Sequence, residues 1–278
     1  MRLSGLILLV LIISSCQEEV NLPLGTLKGE IPVIEGVWTD NNFYNEVKVT
    51  LAKNYLDTSE NVIIKDAMVS ISTTDGSTVL PFRYYEESGS YRAQRSGAVG
   101  VIGESYQLNV QWEDYEFQSE GTLLPPPIVD SLTYKYEEER LFRDEGYYIK
   151  VYGKIPYEEN NYYRIRVIEN DTLKDRRSDY MLFDDTFGLR FFENGLELDY
   201  AFDAKDTVQL ELYRMNKKPY DYFVQLVNLF YSDGGLFSPP PQNPETNIQD
   251  LNGNKEVLGY FSVMSVLREK VIIKPEED

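Results

Sequence analysis

The chain has 278 residues, 27 basic against 46 acidic ones for a formal net charge of −19, one cysteine and no histidine. Such an acidic surface repels nucleic acid and anionic headgroups, so no nucleic-acid partner is expected. Without histidine, the Ser-His-Asp and Cys-His arrangements, the His-Glu-x-x-His zinc site and the usual base near neutral pH are closed to it, and no disulfide can form within the chain.

At the start, Arg2 precedes an apolar run of eight residues from Leu6 to Ile13. A bilayer needs ~20 such residues, so the run reads as the apolar core of a secretory signal. Ile13-Ser14-Ser15-Cys16 follows and resembles a bacterial lipobox. Residues 1–15 are then expected to be removed, leaving Cys16 as a lipidated first residue. Several acyl chains, at ~0.8 kcal/mol per buried methylene, make a firm outer-membrane lipid anchor where one chain does not. Gln17-Glu18-Glu19 resembles the export signal that sends Bacteroidota lipoproteins to the cell exterior, and a solvated acidic tether explains it equally well. Residues 16–30, with Pro23, Gly25 and Gly29, read as that tether.

Residues 31–125 predict a first β-sandwich. Ile31, Val33 and Val37 frame one strand, and Val47, Val49 and Leu51 alternate with polar residues in the next. Ala67, Val69 and Ile71 lead to an Asp75-Gly76 hairpin turn before Val79. Gly89-Ser90-Tyr91 opens another strand, and Tyr106, Leu108, Val110 and Trp112 bury one face while Gln107, Asn109 and Gln111 face out. About seven short strands imply an immunoglobulin- or fibronectin-like sandwich. Pro125-Pro126-Pro127 ends the block, because three fixed φ angles and three missing donors cannot continue a central strand.

Residues 128–274 predict a second β-rich domain, a β-sandwich with one short helix. Strands are expected at Ile128, Leu132 and Tyr134, at Tyr147, Ile149 and Val151, at Tyr163, Ile165 and Val167 before an Asn170-Asp171 turn, and at Val208, Leu210 and Leu212. Long loops or short strands are expected from Arg176 to Leu198. Pro219 suits a first helical turn, and Tyr222, Phe223, Leu226, Val227 and Phe230 then fall on one helical face. Asp233-Gly234-Gly235 ends the helix, and the proline-rich stretch from Leu236 to Pro244 predicts a stiff connection. Gly259-Tyr260-Phe261-Ser262-Val263 opens the last strand.

A set of short motifs in fixed order resembles the Bacteroidota lipoproteins grouped as domain of unknown function 4249 (DUF4249). They include Gly36, Asp66-Ala67-Met68-Val69, Gly103-Glu104-Ser105-Tyr106-Gln107-Leu108, Tyr162-Tyr163-Arg164, Asp206-Thr207-Val208, Asn243-Pro244 and Leu258-Gly259-Tyr260-Phe261. The resemblance implies an all-β fold whose first domain is immunoglobulin-like, and an outer-membrane lipoprotein working beside a TonB-dependent transporter. It supplies no catalytic residues. A small molecule, glycan or peptide is the ligand class expected of such a protein.

Candidate contact residues come from two places. Trp38 lies beside the polar and aromatic loop that carries Phe43 and Tyr44, and Leu236 and Phe237 head the proline-rich connection. Each also has a plain reading as core, whereas Trp112 continues a buried strand phase and is read as structural. Asp250, Asn252, Asn254 and Glu256 resemble half of a calcium loop, but Lys255 and Phe261 stand where that loop needs glycine and a bidentate carboxylate, so a solvated turn is the better reading. No enzyme activity, metal or cofactor is expected. A structural or adhesive envelope protein and a carboxylate-dependent hydrolase remain as alternatives.

Overall fold

Alternating apolar residues in the first block become seven strands: β1 (Pro32–Thr39), β2 (Glu46–Leu51), β3 (Met68–Thr73), β4 (Val79–Tyr85), β5 (Ser90–Ala93), β6 (Ser105–Trp112) and β7 (Tyr115–Thr122). The structure, a computed structural model, describes residues 27, 29–54, 57–187, 192–231, 242–253 and 255–275. The second block contributes β8 (Ile128–Glu137), β9 (Gly146–Lys154), β10 (Tyr162–Glu169), β11 (Thr172–Leu173), β12 (Met181–Asp184), β13 (Leu196–Glu197), β14 (Thr207–Met215), a helix α1 (Lys217–Phe230), β15 (Gln249–Asp250) and β16 (Leu258–Ile272). Among the described residues the fold is all-β with one α-helix, and no helix there is long and apolar enough to cross a membrane.

Local chemistry accounts for the turns. Gly76 adopts a φ of +72° in the β3–β4 hairpin, and Asn170 and Asp171 take φ values of 49° and 63° between β10 and β11. Two successive left-handed residues match the twist of a tight hairpin, and Asn and Asp tolerate that region. The segment from Arg176 to Leu198 holds short pieces, β12, β13 and two single-turn 3-10 helices.

The long last strand joins the two halves. Its first part pairs in parallel with β1, Val33 opposite Leu258 through Thr39 opposite Met264. Its second part pairs antiparallel with β14, Arg214 opposite Ser265 through Thr207 opposite Ile272. The order β11-β10-β14-β16-β1-β2-β5-β4-β3-β6-β7-β15 is therefore one hydrogen-bonded path, with β12 on β10, while β13-β9-β8 form a separate three-stranded sheet. Gly259 permits the close approach: its φ is +99°, and a Cβ there would lie 2.0 Å from the Ile34 carbonyl oxygen.

Three cores result. The first collects the apolar phase of β1 to β7 and also takes Ile248, Val257, Phe261 and Val263 from the end of the chain. The strand expected within the second block thus completes the sandwich of the first. A second core gathers Ile149, Val151, Tyr163, Ile165, Val167, Val208, Leu210 and Leu212. A third lies on the opposite face of the joined sheet, where Tyr220 and Phe223 of α1 pack on Tyr213, Met215 and Met264.

Two readings are corrected by this arrangement. In β1 the buried phase is Ile34, Gly36 and Trp38, while Val33 and Val37 are half-buried, because both faces of the strand are covered and Val37 turns to the third core. In α1 the buried residues are Pro219, Tyr220 and Phe223, and Phe230 is 39% exposed, because the last turn lies beside the Arg177–Asp179 turn, where Phe230 meets only the edge of Tyr180 at 5.4 Å among the described aromatic rings. Trp112 lies in the first core as expected.

Candidate functional site

Side chains that alternate away from the first two cores meet at the junction. In β10 Tyr163, Ile165 and Val167 point into the second core, so Arg164 and Arg166 point to the other face. In β2 Val47 and Val49 point into the first core, leaving Glu46 and Lys48 outward. These outward residues, with Arg92, Tyr213, Tyr260 and Phe223, line a cleft of about 440 Å³. A volume in that range suits a small ligand.

The loop between β1 and β2 forms one wall, and its shape is held by hydrogen bonds. The Thr39 amide donates to Asn45 Oδ1 at 2.7 Å, and the Asn45 amide group donates to the carbonyls of Thr39 (3.2 Å) and Ala98 (3.1 Å). The Phe43 amide donates to Asn41 Oδ1 at 3.1 Å, and the Val266 amide of β16 donates to Asp40 Oδ1 at 2.9 Å. Phe43 is left 72% exposed at the mouth of the cleft. Tyr44 turns inward and meets the Tyr213 ring edge-on at 5.9 Å.

Beneath Tyr44 lies a buried carboxylate. Register places Arg166, Glu211 and Arg268 side by side on β10, β14 and β16. Glu211 is 2% exposed. It accepts hydrogen bonds from the hydroxyls of Tyr44 and Tyr213, the latter at 2.6 Å, and from Gln209 at 3.2 Å. Arg268 Nε donates to the Tyr44 oxygen at 2.6 Å, and Arg166 lies 3.6 Å from the carboxylate. Burial and the Glu211 bond push both tyrosine hydroxyls above their ordinary pKa, so they remain protonated donors.

The cleft is cationic in an acidic protein. Lys48, Arg92, Arg164, Arg166 and Lys174 line it against Glu46, Asp175 and Asp179. Glu46 pairs with Arg92 at 2.9 Å and Lys48 at 3.4 Å, and Glu169 with Lys174 at 2.7 Å. Arg164 differs: among the described residues it makes no ion pair or hydrogen bond, and its Nε is buried without a partner. Its guanidinium lies 4.6 Å from the Phe223 ring centre and 5.0 Å from that of Tyr180. Burial holds its pKa below the ordinary arginine value.

A wider depression of about 700 Å³ lies over β3, β4 and β6. Its charged residues, Lys65, Asp66, Arg83 and Glu116, are all exposed and solvated. The junction cleft, with buried charge and converging aromatic rings, has the chemistry of a binding site.

Of the contact residues expected from sequence, Phe43 and Tyr44 line the cleft, and Trp38 does not. Trp38 is 0% exposed and packs on Tyr106 at 5.6 Å and Phe82 at 6.1 Å, so it is a core residue. Its place on the apolar phase of β1, two residues from Gly36, decides this. Cys16, Gln17, Glu18, Glu19, Leu236 and Phe237 lie outside the described residues. In the calcium-like stretch, the Asp250 carboxylate accepts the amides of Asn252 (3.1 Å) and Lys255 (2.8 Å), as in a backbone turn. Sequence reasoning passed over Arg164, Arg166, Glu211 and Arg268. The signal available for them was charge on the outward phase of three strands, with nothing local to show that the three are neighbours.

A search of the curated proteins finds no match. The profile of the family described as domain of unknown function (DUF4249) matches residues 17–270, which takes in every residue that lines the junction cleft, and the chain belongs to that family.

Proposed function

We propose that the protein is a non-enzymatic lipoprotein of the outer membrane, anchored through Cys16 and facing the cell exterior, that captures a nutrient for a TonB-dependent transporter. The apolar run and lipobox-like Ile13-Ser14-Ser15-Cys16 support the anchor, and the acidic Gln17-Glu18-Glu19 behind it supports surface exposure. The observation that carries capture is the junction cleft, where side chains from β1, β2, β10, β14, α1 and β16 converge on one space of ligand size.

Mild detergent extraction followed by affinity purification of the full chain tests the partnership. Recovery of a TonB-dependent transporter in stoichiometric amount is the expected result, and recovery of the lipoprotein alone under gentle conditions refutes it. Cys16→Ser is expected to abolish incorporation of a fatty-acid analogue while leaving circular dichroism unchanged, because nothing in the described structure uses the thiol. Label retained on the serine variant means that the anchor is elsewhere.

A further inference from the structure

We propose that the junction cleft selects a small organic anion, a carboxylate or phosphate attached to an apolar body, through the guanidinium of Arg164. This deepens the capture reading above and rests on the cleft being the ligand site. Each of the other four cations of the cleft pairs with a carboxylate, Arg92 and Lys48 sharing Glu46, Lys174 on Glu169 and Arg166 on Glu211. Arg164 alone among them lacks a carboxylate in the described structure.

Arg164 is half-buried, with its Nε cut off from water, and a guanidinium that has lost part of its hydration without gaining a counterion is unfavourable. Aromatic faces of Phe223 and Tyr180 hold it in place and recover part of that loss. They satisfy none of its five N–H donors. An incoming carboxylate or phosphate does, in a paired geometry that suits the planar fork. Its arrangement is already fixed by the sheet, so little side-chain entropy is lost on binding. The flat aromatic rings of Tyr260 and Phe223 in the same wall favour an organic anion over a bare inorganic one.

Isothermal titration and thermal melts of the full chain in mild detergent decide the matter, with benzoate, phenylphosphate, inorganic phosphate and neutral benzamide as probes. Benzoate or phenylphosphate is expected to bind and to raise the melting temperature, benzamide to bind at least tenfold more weakly, and inorganic phosphate to bind more weakly than phenylphosphate. Which organic anion is tighter identifies the headgroup. Arg164→Gln is expected to lower affinity at least tenfold with no loss of melting temperature, since it removes a half-buried charge that no carboxylate pairs. Arg83→Gln, on an exposed residue outside the cleft, is expected to bind as wild type does. If Arg164→Gln does not fold, Arg164→Lys keeps the charge but loses the fork, and a fivefold or greater loss of affinity supports the proposal. Equal anion affinity in wild type and the Arg164 variants, or no anion binding at all, overturns it. Loss of the transporter partnership leaves anion binding untouched, and absence of anion binding leaves transporter recovery untouched, so the two proposals fail separately.

Discussion

Replacing Glu211 by leucine is expected to lower the unfolding free energy by about 3–5 kcal/mol, the loss usual when one partner of a buried charge network is removed. The carboxylate is 2% exposed and stands between Arg166 and Arg268 on neighbouring strands. Without it, the hydroxyls of Tyr44 and Tyr213 lose their acceptor, and two guanidinium groups are left facing each other across β14. Like charges at that distance repel, and the buried Tyr213 hydroxyl has no water to turn to. A urea midpoint lowered at unchanged slope is the signature of a stability change alone. A midpoint equal to that of wild type refutes the idea that the network stabilises the fold.

Glutamine at the same position separates hydrogen bonding from charge. It offers one acceptor oxygen where glutamate offers two, so one tyrosine hydroxyl meets an amide N–H instead, at a cost of about 1–3 kcal/mol. Tyr44 belongs to the loop that walls the cleft, so its freedom depends on this contact. Tyr44→Phe is accordingly expected to cost less in the leucine background than alone, the mark of a shared interaction. Additive losses show that loop and carboxylate are independent.

How far the fold was legible depended on whether a strand has one covered face or two. In β6 the alternation of Tyr106, Leu108, Val110 and Trp112 with polar residues reads directly, since only one face meets a core. In β1 it misleads, because Val37 packs under α1 while Ile34 and Trp38 pack in the sandwich, and period-2 hydrophobicity cannot rank two covered faces. The parallel pairing of β1 with β16 left no local trace at all. Hairpins announce themselves by turn residues, as at Asp75-Gly76, but a parallel pair between the two ends of a chain has no turn to carry the signal. Gly259 was visible as a motif residue, yet its reason, the contact with the Ile34 carbonyl, exists only once the strands meet. The cleft divides in the same way. Phe43 and Tyr44 stood out as aromatic residues in a polar loop, whereas Arg164 acquires its meaning from Phe223 and Tyr180, neither of them near it in sequence.

Arg214 is the second residue whose loss should be severe, and its case turns on geometry more than on charge. It is 3% exposed at the end of β14 and, among the described residues, pairs with no carboxylate. Instead its guanidinium donates to three backbone carbonyls, Asn160 at 3.1 Å, Pro125 at 3.1 Å and Glu159 at 2.9 Å, and lies 3.7 Å over the Tyr157 ring. The Tyr157 hydroxyl in turn donates to the Pro126 carbonyl at 2.8 Å. One side chain thus clamps the proline link between the blocks onto the β9–β10 connection. Arg214→Met keeps the approximate volume and removes all three bonds, and bonds from a charged donor are worth about 1.5–3 kcal/mol each before relaxation. Glu159 and Asn160 are exposed, so their carbonyls can turn to water, and the methionine escapes the desolvation that holds the arginine pKa below its usual value. A net loss of about 2–4 kcal/mol is expected after these offsets. Arg214→Lys is the sharper variant, since an ammonium retains the charge but cannot span three carbonyls in one plane, and most of the loss should persist. Released from the clamp, the segment at Glu158 and Glu159 should also become sensitive to a glutamate-specific protease under native conditions. A lysine variant with the midpoint and protease resistance of wild type would mean that charge alone suffices and that the fork geometry holds nothing together.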